Sequence, residues 1–109
     1  MKLNMYAVYD SASGVYDGPS KARSHPEAIR AFTYFATDAE SPIGRNPEDF
    51  TLVCVGEWDD TTGLIVSERV ESVCTALECV AATRQTDTAK LAMLDKVAAA
   101  MNGEDEHAA

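Results

Sequence analysis

Long apolar runs are absent from this sequence, and none approaches the roughly 18–20 residues that a membrane-spanning helix requires. The first six residues, MKLNMY, turn polar too early for a secretion signal, so we expect a cytosolic protein without membrane contact. Cysteine is scarce: Cys54, Cys74 and Cys79 lack the spacing of a disulfide framework, which predicts reduced thiols. No histidine lies near them in the sequence, so we expect no zinc site.

Basic residues are also few, because 9 Lys and Arg stand against 18 Asp and Glu, giving a net charge of −9. This balance excludes a generally basic nucleic-acid coat and a polybasic membrane binder. The shortage is uneven along the chain. Residues 1–30 carry four basic and three acidic side chains, whereas residues 31–63 carry one and seven, and residues 64–109 carry four and eight. Only the N-terminal third therefore offers an anion a favourable potential.

The N-terminal segment predicts a β-hairpin. Between Leu3 and Tyr9 the side chains alternate with a period of two, which is typical of a strand. The segment DSASG at residues 10–14 has turn chemistry, because aspartate bonds its own backbone and glycine adopts the left-handed conformation. A return strand begins at Val15, and we expect Asp17-Gly18-Pro19 to end it.

An amphipathic helix follows this hairpin. Ser24-His25-Pro26-Glu27 is a capping-box signature with proline in the first turn. We expect the helix to end near Asp38 or Ala39, before Ser41-Pro42 and Gly44. The predicted buried stripe consists of Ala28, Ile29, Phe32, Phe35 and Ala36.

A second hairpin is predicted from residue 51 onward. Residues 51–58 indicate a strand, with Leu52, Cys54 and Trp58 on one face and Val53 and Val55 on the other. The turn DDTTG at residues 59–63 repeats the residue types of the first turn, and a return strand follows at residues 64–67. The two hairpins predict an α+β fold: a mostly antiparallel sheet around one amphipathic helix, in the order ββαββ.

The C-terminal part carries a further helix. Residues 73–80 fit either a short helix or extended structure, and we favour the helix. A clearer helix is predicted over residues 86–102, with Leu91, Leu94, Val97 and Ala98 as its apolar stripe. We therefore expect a single α+β domain over residues 1–102, with the ββαββ core at residues 1–70 and a disordered acidic tail at residues 103–109.

Four blocks together resemble one protein family: YAVYD at residues 6–10, AIRAF at 28–32, PEDF at 47–50 and GEWDDTTG at 56–63. They are similar to the non-structural protein of the gokushovirus-type microviruses, small phages with circular single-stranded DNA. Trp58 stands where the family pattern has phenylalanine, and the chain after about residue 72 shows no match. The resemblance implies a replication-stage factor in the host cytoplasm, which binds DNA or supports single-stranded DNA synthesis and its hand-over to packaging. It implies no catalytic residues.

Single-stranded DNA is the first candidate partner, because sequence-tolerant binders combine a positive groove with aromatic platforms. Basic side chains cluster before and within the first helix, whose N-terminal N–H groups suit a phosphate. Tyrosines would stack bases if they lie on an open face of the first hairpin. The alternative is a purely structural role, in which the basic side chains are solvated, the tyrosines belong to the core and Arg30 pairs with Glu27 or Asp49. The candidate DNA-binding residues are Lys2, Tyr6, Tyr16, Lys21, Arg23, His25 and Arg30.

A protein–protein adaptor is the alternative function. One helix covers only one face of a sheet, and Tyr6, Val53, Val55 and Ile65 are candidates for the other face. A second copy or the C-terminal helix would cover it, so we expect a homodimer that contacts the viral replication initiator or the procapsid. No nucleophile–base set or phosphate loop can be assembled, and turn chemistry explains the carboxylates at residues 48–49 and 59–60. We therefore expect no enzyme, no catalytic residue, no cofactor and no metal.

Overall fold

The computed structural model describes residues 1–108, with side chains described for residues 1–102. Its elements follow in the order β1 (Lys2–Asp10), β2 (Val15–Ala22), α1 (His25–Ala36), α2 (Pro42–Arg45), a 3-10 turn (Pro47–Asp49), β3 (Phe50–Asp59), β4 (Ile65–Val66), β5 (Glu71–Thr75) and α3 (Ala76–Ala108).

The five strands form one antiparallel sheet in the order β2-β1-β3-β4, with β5 also paired to β3. The two predicted hairpins are present as β1–β2 and β3–β4, and the pairing of β1 with β3 joins them into one sheet. The α+β class with a C-terminal helix is confirmed. β3 lies at the centre because it is long enough to pair with β1 on one edge and with two short strands on the other.

The two hairpin turns share one geometry, as their matching residue types predict. Gly14 N–H donates to the Asp10 carbonyl and Gly63 N–H donates to the Asp59 carbonyl, each at 2.7 Å. Both glycines have positive φ, +73° and +78°. In each turn the opening aspartate Oδ1 accepts a backbone N–H two residues on, at 3.0 Å for Asp10 and 2.9 Å for Asp59. Local hydrogen bonding therefore specifies both turns.

The helices cover one face of the sheet. α1 begins as predicted: Ser24 Oγ accepts the Glu27 N–H at 3.3 Å, and Glu27 Oε2 accepts the Arg23 N–H at 3.2 Å. α1 ends at Ala36, earlier than predicted, and Ser41 Oγ–H donates a hydrogen bond to the Phe35 carbonyl in its last turn. Phe35, which was predicted to belong to the buried stripe, is half exposed. The buried core between helices and sheet consists of Tyr6, Ala22, Ala28, Phe32, Ala36, Leu52, Ala76 and Cys79.

The structure corrects the prediction for β2. Gly18-Pro19 does not end this strand, because the pairing with β1 shifts by one residue there and resumes at Ser20. Gly18 has φ +118° and its Cα lies close to β1, so an added Cβ would stand 3.3 Å from the Tyr6 carbonyl oxygen. The glycine permits a bulge where a stop was expected.

Residues after Glu71 also differ from the predicted short helix. Residues Glu71–Thr75 are the strand β5, because β4 covers only two positions of β3 and leaves the remaining backbone groups of that edge to be paired. α3 then begins at Ala76, about ten residues before the predicted start, and Thr75 Oγ1 accepts the Glu78 N–H at 3.1 Å. Its helical backbone continues through Asn102-Gly103 to Ala108, where a disordered tail was expected; a helical glycine costs only about 1 kcal/mol. Ala109 lies outside the described residues.

Candidate functional site

The second face of the sheet carries no helix in the part of the chain that the structure describes, and we call it the open face. Strand register identifies its side chains, because cross-strand partners point to the same face and neighbours along a strand alternate. Tyr6 and Leu52 lie in the helix-covered core, so the residues beside them point the other way. The open face therefore carries Leu3, Met5, Ala7 and Tyr9 from β1, Tyr16 and Lys21 from β2, Thr51, Val53 and Trp58 from β3, Ile65 from β4, and Ser72 and Thr75 from β5. Leu3, Ala7 and Val53 are buried among their larger neighbours on this face.

A bulge in β3 decides the position of Trp58. Met5 pairs with Gly56 and Tyr6 pairs with Cys54, so Val55 is an extra residue on β3. One extra residue reverses the alternation beyond it, and Trp58 consequently faces away from the core that holds Leu52. The sequence grouping of Leu52, Cys54 and Trp58 on one face is therefore wrong for Trp58.

Aromatic rings occupy two places on the open face. Tyr9 and Tyr16 are cross-strand partners whose ring centroids lie 4.7 Å apart at an interplanar angle of 37°. Lys21 Nζ lies 5.2 Å from the centroid of the Trp58 ring, within cation–π range. An open groove of about 480 Å³ adjoins this second pair and is lined by Met5, Pro19, Ser20, Lys21, Trp58 and Ile65.

Charge is distributed unequally between the two faces of the sheet. Among the described strand residues that register places on the open face, Lys21 is charged and none carries a carboxylate. The strand carboxylates all pair with positions of the helix-covered side; they are Asp10, Asp17, Glu57, Asp59 and Glu71. A chain with a net charge of −9 thus keeps the strand carboxylates off this one surface.

Tyr6 and His25, two of the predicted DNA-binding residues, are joined in a structural contact. Tyr6 is only 2% exposed, so its predicted role as a base-stacking platform is wrong. Its hydroxyl lies 2.5 Å from His25 Nδ1 and accepts a hydrogen bond from Asn4 Nδ2 at 3.0 Å. Burial raises the pKa of the Tyr6 hydroxyl. This pair ties β1 to the first turn of α1.

The other predicted residues divide between the two faces. Tyr16 and Lys21 lie on the open face, whereas Arg30 is exposed on α1, on the opposite side of the sheet. Arg30 forms no ion pair within 4.0 Å inside the described residues, so the expected pairs with Glu27 and Asp49 are not made. Lys2 Nζ stands 3.8 Å from Glu57 Oε1 on the helix-covered side. Arg23 is exposed just before α1.

Sequence reasoning missed Tyr9 and Trp58. For Tyr9 the signal was present in the alternation along the strand. Tyr6 and Val8 point to one face and Tyr9 to the other, so a buried Tyr6 implies that Tyr9 lies on the opposite face. For Trp58 the signal was weak: Gly56 is a glycine inside a strand pattern, which is compatible with a bulge at Val55 but does not specify one. Tyr16 and Lys21 were identified from their residue types and place before the first helix.

The described residues show little other site chemistry. No group of three or more His, Cys, Asp or Glu side chains in residues 1–102 is arranged to hold a metal ion. The Asp59 carboxylate accepts hydrogen bonds from the N–H groups of Thr61 and Thr62 at 2.9 and 3.4 Å. These bonds, above all the one from Thr61, lower the pKa of the Asp59 carboxyl group. Of the helices in this part of the chain, none has the length and apolar character needed to cross a membrane.

Comparison with known proteins gives one family. A family model described as Phage ORF5 protein matches residues 3–79, more than two thirds of the chain. No curated protein and no solved structure matches. The matched segment contains all five strands apart from Lys2, the first residue of β1, and stops shortly after α3 begins.

Proposed function

The chain belongs to the Phage ORF5 protein family, and from that premise we propose that it binds single-stranded DNA through the open face of its sheet. In this proposal it is a non-structural protein of a gokushovirus-type microvirus, and it acts in single-stranded DNA replication or in the hand-over of the strand to packaging. The observation that carries the proposal is the combination of Tyr9, Tyr16 and Trp58 with Lys21 on a sheet surface without strand carboxylates.

The aromatic rings supply the sequence-tolerant part of the binding energy. Stacking of a base on an aromatic side chain contributes about 1–3 kcal/mol per base and suits any base, because every base has a π face. Tyr16 is 50% exposed and presents its ring at the edge of the sheet. The Trp58 ring adjoins the open groove between β2 and β4, where an unstacked base has room to lie. Two stacking places on one surface fit a strand whose bases are splayed over the sheet.

Lys21 supplies the electrostatic part. Among the described strand residues that point to the open face, Lys21 is the charged one, and its ammonium group lies beside the Trp58 ring. A phosphate placed there would meet a cation without an adjacent strand carboxylate to repel it. Because the whole chain carries −9, we expect weak binding that falls steeply as salt rises.

Fluorescence anisotropy of a labelled oligothymidylate of about 20 nucleotides, longer than the site of one small domain, tests this proposal. The full chain is titrated at several salt concentrations beside the double variant Tyr9→Ala, Trp58→Ala. We expect the wild-type chain to bind at low salt. Loss of two stacking rings should weaken binding about 30-fold or more, the equivalent of at least 1 kcal/mol per ring.

Tyr34→Ala is the matched control, because Tyr34 is an exposed tyrosine on α1, in the layer that covers the opposite face. This variant should bind as the wild type does. Binding that drops in Tyr34→Ala or Arg30→Ala but not in the double variant would place the site on α1 and refute the open face. No binding at low salt would refute DNA as the partner.

A protein partner is the second candidate, favoured by the exposed apolar side chains around β4. Leu64, Ile65, Val66 and Val70 are all more than half exposed, and β4 pairs with β3 at only two positions. In this alternative the chain is an adaptor for the viral replication initiator or the procapsid. Co-purification of those viral proteins with the chain, lost in Leu64→Asp and kept in Tyr9→Ala, would support the adaptor over DNA binding.

A further inference from the structure

The thiols of Cys74 and Cys79 lie side by side where β5 passes into α3. Cys74 is the next-to-last residue of β5, and Cys79 lies in the first turn of α3. Their Sγ atoms are 3.5 Å apart, so nothing separates the two sulfur atoms. Cys54, the third cysteine, directs its thiol to the Gly56 carbonyl oxygen, at 3.8 Å. All three cysteines are free thiols, and two of them form a close pair.

The backbone around the pair is fixed on both sides. Cys74 is paired with Leu52 of the central strand β3. The residues that follow form a capping box, in which Thr75 Oγ1 accepts the Glu78 N–H at 3.1 Å and Glu78 Oε2 accepts the Thr75 N–H at 3.5 Å. Ala76, which lies between the cysteines in the sequence, is fully buried. The closeness of the two thiols is therefore a property of the fold and not of a flexible loop.

A groove between α1 and α3 gives small molecules access to the pair. It has a volume of about 420 Å³, and both cysteines line it, with Ile29 and Thr33 on the side of α1. Cys79 is only 5% exposed and Cys74 is half-buried. A small reagent therefore reaches the thiols through the groove, without unfolding of the domain.

The charged side chains of this groove favour one class of reagent. They are Glu78, Asp87 and Lys90, so two carboxylates stand against one ammonium group. An anionic disulfide such as oxidised glutathione would be repelled, whereas a small uncharged disulfide would not.

We propose that Cys74 and Cys79 form a redox modification site, at which a small uncharged disulfide oxidises the two thiols of the folded chain to an internal disulfide. One cysteine thiolate attacks a sulfur atom of the reagent, breaks its S–S bond and releases one half as a thiolate, which leaves a mixed disulfide. The second cysteine, after losing its proton, attacks the protein sulfur of the mixed disulfide and releases the other half. Two electrons pass to the reagent, and its two thiolates take up the two protons that the cysteines lost.

The second step is intramolecular, and this decides the product. Contact at 3.5 Å gives the second thiol a high effective concentration, so the mixed disulfide should not accumulate. Burial, together with the hydrogen bond to Cys79, raises the pKa of the Cys74 thiol to about 12. Its thiolate is therefore scarce at neutral pH, and the overall oxidation is slow.

The new bond would act where α3 is attached to the domain. α3 has 33 residues, which corresponds to about 50 Å of helix at 1.5 Å per residue. Among its described side chains, Ala76 and Cys79 are the buried ones, so the helix is anchored near its start. Oxidation fastens this start to β5 covalently, in addition to the capping box.

Peptide mapping by mass spectrometry, on the full chain treated with hydroxyethyl disulfide, tests the proposal. Remaining thiols are blocked with N-ethylmaleimide before digestion. Trypsin puts both cysteines of the pair in one peptide, residues 70–84, and Cys54 in another, residues 46–69. We expect the 70–84 peptide to become lighter by two hydrogens, with no hydroxyethylthio group added and no link to a second peptide. A phosphine reductant should reverse the change.

Two variants identify the thiols responsible. Cys79→Ala should keep one hydroxyethylthio group on its 70–84 peptide, because Cys74 then has no neighbour to displace it. Cys54→Ala is the matched control, since it removes the same residue type from β3 and leaves the pair intact. It should form the internal disulfide at the rate of the wild-type chain.

Three results for the wild-type 70–84 peptide would overturn the proposal: a stable hydroxyethylthio adduct, a link to the 46–69 peptide, or no change after about a day, when thiol–disulfide exchange takes seconds to hours. The rate should also stay constant in urea below the unfolding transition. A rate that rises with the unfolded fraction would show that the thiols react in the unfolded chain and would refute a site built by the fold. Because Cys74 pairs with Leu52 on the helix-covered side, oxidation and DNA binding by the open face can fail independently.

Discussion

Lys21 holds its ammonium nitrogen 5.2 Å from the centroid of the Trp58 ring, across the intervening strand β1. The two residues are 37 positions apart in the sequence and belong to different hairpins. They meet because β1 pairs with β2 on one edge and with β3 on the other, and because the bulge at Val55 turns Trp58 to the open face. The pair places a cation and a stacking surface side by side.

This pair predicts how DNA binding depends on salt. Each phosphate that a lysine neutralises on a single strand contributes a slope of about −0.7 in log K against log salt. Lys21→Ala should therefore reduce the slope by about 0.7, and Arg30→Ala, on the other side of the sheet, should leave it unchanged. Trp58 is the single tryptophan of the chain, so its fluorescence, quenched by stacked bases, reports the titration directly. An unchanged slope in Lys21→Ala would contradict the assigned phosphate contact.

Local chemistry explains what the sequence predicted well. The two DxxxG turns, the Ser24 cap and the amphipathic face of α1 depend on residues within a few positions of one another. Such local features can be predicted from the sequence without knowledge of the tertiary structure. The alternation along β1 was also readable, and it separated Tyr9 from Tyr6 correctly.

Long-range pairing explains what the sequence did not predict. The bulge at Val55 is defined by the register against β1, and β5 forms because β3 has an edge left to pair. Local sequence does not decide either feature: Val55 suits a regular strand, with Gly56 compatible with a bulge beside it, and residues 73–75 suit a strand as well as a helix. The candidate site therefore kept Tyr16 and Lys21, lost Tyr6 to the core and gained Tyr9 and Trp58.

The contact between Tyr6 and His25 predicts a loss of stability on removal of one oxygen atom. Tyr6→Phe leaves the half-buried Asn4 and the exposed His25 without their shared hydrogen-bond partner, and we expect a cost of about 1 kcal/mol in urea unfolding. Tyr9→Phe is the matched control, because the Tyr9 hydroxyl has no hydrogen-bond partner among the described residues. Equal stability of the two variants would contradict the structural role of Tyr6.

Gly56 and Gly63 are glycines for different reasons, one steric and one conformational, and alanine substitutions distinguish the two through their effect on stability. A Cβ at Gly56 would stand 2.5 Å from the Val66 carbonyl oxygen, so Gly56→Ala should push β4 away from β3 and destabilise the chain by about 1–3 kcal/mol. Gly63 has open space around it but φ +78°, so Gly63→Ala should cost about 1 kcal/mol from backbone strain alone. Hydrogen exchange at Val66 should accelerate in Gly56→Ala beyond the global loss of stability. Unchanged local exchange would contradict the close approach of β4.

The thiols of Cys74 and Cys79 predict a loss of stability at alkaline pH. Their sulfur atoms lie 3.5 Å apart, and burial together with the Cys79 hydrogen bond raises the pKa of Cys74 from its usual 9.0 to about 12. The folded state therefore keeps a proton that the unfolded chain releases. The contribution of the Cys74 thiol to the free energy of unfolding is constant below about pH 9, and it is lost as pH rises from about 9 toward 12.

Urea unfolding midpoints of the wild-type chain and of Cys74→Ala, measured from pH 7 to 11, check this expectation. The variant should be less stable at pH 7, because it loses buried volume, and should lose less stability as pH rises. Tyr6 also has a raised pKa and weakens the fold in the same direction, but it is present in both chains and cancels in the difference. Parallel pH profiles for the two chains would show that the Cys74 thiol does not hold its proton in the folded state.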